Sequence, residues 1–146
     1  MSSSLIEKQI AFAQCVGNLL TWAPQQGILV VLGETWRAPQ QCDWNASRCA
    51  AQVSGVRCER ERLDLVHTSG GHPFVPIGLA DSLHGLRLAI DLVRMIPTAD
   101  GGFQPAVGRD KYAPLGEYWE QHQGAVWGGS WGSDYGHFSM PHNGRK

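Results

Sequence analysis

The sequence predicts one α+β domain, a small antiparallel sheet with helices packed on it, and three observations carry that expectation. Apolar residues recur at helical spacing through Ile6, Ile10, Ala13 and Gly17. Aliphatic runs of strand length stand at Ile28–Leu32 and Leu88–Met95. No repeat or linker divides the 146 residues, a length usual for one domain.

The elements follow in order. Ser4 and Glu7 form a capping box, in which each side chain satisfies an amide at the helix start. The first helix therefore begins there and is expected to end before Pro24. Ile28–Leu32 is apolar and β-branched, which predicts a buried strand. Gly33 to Pro39 leaves it in a turn, and Gln40 to Val53 is compatible with a helix. From about Ser54 to Pro76 the pattern is irregular, with loop chemistry in Thr68 to Pro73. Leu88–Met95 is the second clear strand, and Thr98 to Gly102 turns it into a hairpin through Phe103. Tyr112–Gln123 is expected to be a helix with Pro114 in its first turn, where a missing amide costs little. Val126–Trp127 and His137–Met140 are short strands around a Gly-rich turn.

Bulk properties narrow the function classes. At 42% hydrophobic, the chain can build a core without disulfides. A net charge of −1 gives no reason to expect a nucleic-acid partner. No apolar run reaches the roughly 20 residues that span a bilayer, so no stable membrane insertion is expected. Met1 to Ile10 lacks the basic and apolar regions of a signal peptide, which predicts synthesis in the cytoplasm. Cys15 lies within the first helix and reads as a buried thiol. Cys42, Cys49 and Cys58 cluster near His67 and His72. Unpaired thiols, a disulfide and a structural zinc site all fit them, though the spacing matches no zinc-knuckle pattern.

The residues that carry chemistry are His84, Asp91, Asp134 and His137. Two imidazoles and one carboxylate can hold a zinc ion with one position open to water, and a second carboxylate can serve as general base. Strand alternation supports their meeting. Leu88, Ile90 and Leu92 share the face expected to pack on the helices, while Ala89, Asp91 and Val93 share the other. Phe138 and Met140 should point to the core, with His137 and Ser139 pointing away. Asp91 and His137 can then meet across neighbouring strands, with His84 arriving from the preceding loop. An Asp inside an apolar strand is costly unless paired, which also favours a ligand role.

At these residues the chain resembles the zinc D-alanyl-D-alanine carboxypeptidases and dipeptidases, a group that includes phage L-alanyl-D-glutamate endopeptidases. The shared pattern is Ser-x-His, six residues, Asp, and later acidic-x-x-His, here Ser82, His84, Asp91, Asp134 and His137. Glu34-Thr-Trp-Arg37-Ala-Pro39 is similar to the turn that bears the group's Arg. Small phage lysis proteins are most alike, through Ser82-Leu-His84, Arg87 to Leu92, Pro114 to Trp119, Trp127-Gly-Gly129 and His137-Phe-Ser139. Two departures stand out: Arg87 replaces the usual Gly, and the stretch from about 42 to 76 looks like a loop insertion.

The resemblance implies a Hedgehog/DD-peptidase-like fold and a zinc peptidase of the phage endolysin type, cutting the stem peptide of peptidoglycan. It implies one catalytic zinc ion on His84, Asp91 and His137. Asp134 is then the base and Arg37 polarises the scissile carbonyl. Ser82 and Trp127 are expected to touch substrate, although Trp127 and Trp131 fit core and cleft wall equally well. Arg87 or Arg94 could bind the terminal carboxylate that a carboxypeptidase recognises. L-alanyl-D-glutamate endopeptidase is the first expectation, with D-alanyl-D-alanine carboxypeptidase or a non-catalytic zinc-stabilised binding module as alternatives. A monomer that reaches the cell wall after release from the cytoplasm completes the expectation.

Overall fold

A computed structural model describes residues 4–35 and 83–145. In chain order these form α1 (Leu5–Gln25), β1 (Leu29–Leu32), β2 (Ala89–Pro97), β3 (Phe103–Pro105), α2 (Arg109–Trp119), β4 (Val126–Trp127), the one-turn α3 (Gly128–Trp131) and β5 (His137–Ser139). The strands make one five-stranded sheet in the order β1-β2-β5-β4, with β3 also pairing β2. Every pairing is antiparallel. The fold class predicted from the sequence is the one observed.

The Ser4 capping box is present: the Ser4 amide donates to Glu7 Oε2 at 2.7 Å, and the Glu7 amide donates to Ser4 Oγ at 3.3 Å. α1 continues through Pro24 rather than stopping before it. In the last turn, proline gives up a single amide bond, and the Gln26, Gly27 and Ile28 amides still close onto carbonyls of Trp22, Ala23 and Pro24. α2 also starts earlier than expected, at Arg109, so Pro114 lies in its second turn.

β1 corrects another expectation. Ile28 is buried, but Leu29, Val31 and Leu32 are exposed. Their apolar, β-branched character marks the strand without burying it, since β1 pairs only with β2 among the described residues.

The core lies between α1, α2 and the sheet. Leu19, Ala23, Leu88, Leu92, Leu115, Trp119 and Phe138 are essentially inaccessible to solvent. Trp119 is its centre. Phe12 and Phe138 meet its ring edge-on at 5.7 and 5.9 Å, and its Nε1–H donates to the Ser139 carbonyl at 3.2 Å. That bond ties α2 to β5, the strand that carries His137. Cys15 is buried and free, as expected, and burial raises its thiol pKa.

The Gln40–Val53 helix, the irregular stretch and loop insertion at about 42–76, Arg37, Ser82, Cys42, Cys49, Cys58, His67 and His72 all lie outside the described residues.

Candidate metal centre

β2 fixes Asp91 from both sides. Asp91 stands directly opposite His137 in the β2–β5 register. On the other flank, the Gly33 amide donates to the Asp91 carbonyl at 2.7 Å, and the Asp91 amide donates to the Glu34 carbonyl at 2.8 Å. Gly33 allows this close approach: a Cβ would sit 3.0 Å from the Asp91 carbonyl oxygen and 3.2 Å from its Cβ, tight enough to push the strands apart by a few tenths of an ångström.

His84 enters from a turn over residues 83–87. Leu83, almost fully buried, anchors it, and the Leu86, Arg87 and Leu88 amides fold back onto the Leu83 and His84 carbonyls. Arg87 closes the turn with φ +55°, a left-handed conformation that suits glycine best. This gives a physical reason for the glycine usual at this position in the proteins the chain resembles.

The side chains converge. Asp91 Oδ1 lies 3.0 Å from His137 Nδ1 and 3.3 Å from His84 Nε2. The three ligand atoms all fall within 4.8 Å of one another. The imidazole rings meet at an angle of 68° with centroids 5.2 Å apart. Both imidazoles are buried, while about a third (33%) of the Asp91 side chain meets solvent. Two imidazole nitrogens and one carboxylate oxygen are a donor set that suits zinc. Ligands about 2.1 Å from one ion stand roughly 3.4 Å apart along a tetrahedral edge, so the observed 3.0 and 3.3 Å spacings fit a shared cation. The exposed part of Asp91 leaves the donor set open to solvent on one side.

Electrostatics agree with that reading. Burial pushes the Asp91 carboxyl up, but hydrogen bonds from His137 and His84, with their charge, outweigh it and hold the pKa at about 2. The residue is an anion at neutral and mildly acidic pH. Asp134 shifts the other way. Loss of water around its carboxyl raises the pKa, the Asp91 charge adds to that, and His137 and His84 oppose it. The Asp134 carboxyl thus feels the charge of all three converging side chains, and its backbone carbonyl accepts the His137 amide at 3.2 Å.

Trp127 is not the substrate-contacting wall expected from sequence. It is 1% exposed, its Nε1–H donates to the Tyr135 carbonyl at 2.7 Å, and its ring packs on Gly116 and Gly129. Arg109 lies 5.1 Å over the ring. Two glycines make room for the indole: a Cβ on Gly116 or Gly129 would come within 2.2 Å of it. Among the described residues, the exposed aromatic beside the site is Trp131, 43% accessible, with its ring 5.7 Å from that of His137. Ser139 shares His137's face, as alternation predicts, but is buried rather than facing solvent. Arg94 is also turned elsewhere: its guanidinium donates to the Lys111 carbonyl on α2.

The comparisons with known proteins point the same way. Residues 78–140 match the family model described as D-alanyl-D-alanine carboxypeptidase. That span contains all four residues of the constellation. A solved structure of the vancomycin-resistance D,D-pentapeptidase VanY from the VanB-type cassette, a point mutant in complex with Zn(II), superposes with a TM-score of 0.53. It is 13% identical, and the match covers 88% of this chain and 70% of that one. The chain shares that fold. No curated protein matches the sequence.

Proposed function

We propose that the protein is a zinc-dependent peptidoglycan peptidase of the phage endolysin type, which hydrolyses the L-alanyl-D-glutamate bond of the stem peptide. The observation that carries this reading is the convergence of His84, Asp91 and His137 around Asp91 Oδ1, with Asp134 beside them. The match to the carboxypeptidase family model supports the substrate class. His84, Asp91 and His137 would hold the ion through the imidazole nitrogens and carboxylate oxygen that converge there. Zinc bound there supplies Lewis acidity, polarising the scissile carbonyl and lowering the pKa of a water molecule.

The remaining steps belong to the chain. Asp134 accepts the proton that the attacking water gives up, and a carboxyl pKa raised by desolvation makes it a better base than an ordinary aspartate. The same carboxyl then returns the proton to the leaving amine, so the peptide nitrogen departs neutral. Asp91 stays ionised throughout and keeps both imidazoles oriented. Arg37, from its place in the sequence motif, steadies the oxyanion with its fixed fork of donors. Ser82 hydrogen-bonds the substrate.

Carboxypeptidase activity is the second reading, favoured by the description of the matching family model. It requires a cation for the terminal carboxylate. Arg94 is committed to Lys111, and Arg87 lines a groove between α1 and β1 with Ile6, Ile10 and Leu32. The endopeptidase is kept as the first reading on the likeness of Ser82-Leu-His84, Arg87 to Leu92 and His137-Phe-Ser139 to the small phage lysis proteins. The protein acts at the cell wall, as a monomer, where that substrate is found. Mass analysis of digested peptidoglycan decides between the two. New alanine carboxyl and glutamate amino ends are expected; release of free D-alanine alone would refute the endopeptidase.

A further inference from the structure

Among the described residues, Trp131 is the largest apolar group beside the metal centre that the fold does not bury. Its backbone is held firmly all the same. It ends α3, whose first residue, Gly128, lies so close to β5 that a Cβ would come within 2.2 Å of the Asp134 carbonyl oxygen and 3.0 Å of His137 Cβ. Gly129 packs equally closely on the buried Trp127 ring. α3 is therefore fixed against both the base and a ligand, and it presents an indole at 5.7 Å and 45° to the His137 ring. The other groups at the centre are two imidazoles and two carboxylates. Trp131 alone among these offers a flat apolar surface.

We infer that Trp131 is a specificity determinant: a platform for the small apolar side chain, an alanine methyl, of the residue flanking the scissile bond. The inference rests on the peptidase reading above. A carbonyl bound at the ion held by His137 leaves the adjoining residue within reach of that indole. An aromatic face favours a methyl group over a charged side chain, and a rigid platform loses little freedom on binding. The contact also excludes water from the carbonyl being attacked.

The test uses the full zinc-loaded chain and synthetic stem peptides carrying alanine or glycine next to the cut bond. Wild type should prefer alanine by about 10-fold in kcat/KM, the range for one methyl group in an apolar site. Trp131→Ala should bind one zinc as wild type does, lose most of that preference, and show the loss in KM more than in kcat. Trp131→Phe should keep most of it. If Trp131→Ala does not fold, Trp131→Gln takes its place with the same expectation. Two results overturn the inference: no alanine preference in wild type, or a full preference in the folded, zinc-bound variant. A wild-type protein that binds zinc but cuts neither peptide instead defeats the peptidase reading, and this inference with it.

Discussion

Replacing Gly128 with alanine tests how the site is assembled. The added Cβ would lie 2.2 Å from the Asp134 carbonyl oxygen and 3.0 Å from His137 Cβ. Ordinary contact begins near 3.4 Å, so the carbonyl must retreat by more than an ångström. It is backbone, and it already accepts the His137 amide at 3.2 Å, so no side-chain rotation relieves the clash. Overpacking of this kind costs about 1–3 kcal/mol. In a domain of this size that lowers Tm by roughly 3–10 °C. The strain falls on Asp134 and His137, so zinc affinity and activity should drop further than stability does. Gly17→Ala is the control. Gly17 is exposed inside α1 with nothing within 4 Å of a Cβ, and alanine there should stabilise by about 0.5–1 kcal/mol. Thermal unfolding, zinc titration and peptidoglycan hydrolysis on both variants supply the readouts. A Gly128→Ala protein with wild-type Tm and wild-type zinc affinity would refute the account of how α3 braces the centre.

Further outcomes follow from the same geometry. Asp134→Asn should bind zinc as wild type does and lose about 10²–10⁴-fold in kcat, the usual range for a lost general base; retained lysis of permeabilised cells would remove Asp134 from the mechanism. In wild type, activity should fall as acid protonates Asp134, on a limb of the kcat/KM profile displaced upward from that of an ordinary aspartate, because desolvation raises that pKa. Asp91 has the opposite sign: its folded pKa is lowered from 3.8 to about 2. The stability it adds to the metal-free protein is complete above its unfolded value and is lost as pH falls through about 2. That contribution is at most about 2 kcal/mol, less for the exposed third of the side chain. Urea unfolding in chelator at pH 5 and pH 2.5 should show a larger loss in wild type than in Asp91→Asn, since Glu7, Asp100 and Asp110 keep their lowered pKa values in both.

Much of this was legible in the sequence because period and chemistry agreed. An aspartate in the middle of an aliphatic strand is unfavourable without a partner, and alternation put it on the face where His137 arrives. The capping box needed only Ser4 and Glu7, local in sequence, and it formed. The errors share a physical origin in tertiary contact. β-branching in β1 signals strand formation, whereas burial depends on neighbours that no local pattern reveals. Trp127 and Trp131 have similar Gly-rich surroundings, and only packing decides which is core. The signal lay further off: Gly116 on α2 leaves the space that the Trp127 ring fills. α3 was read as a turn because one helical turn containing two glycines carries no periodic signature.

The central claim is that His84, Asp91 and His137 grip one ion. Elemental analysis of the purified chain, after dialysis against trace zinc, addresses it most directly. One zinc per chain is expected for wild type, and close to none for His84→Ala, Asp91→Ala and His137→Ala when each remains folded. A folded wild-type chain that takes up no zinc, or an Asp91→Ala chain that still holds a full equivalent, would contradict it.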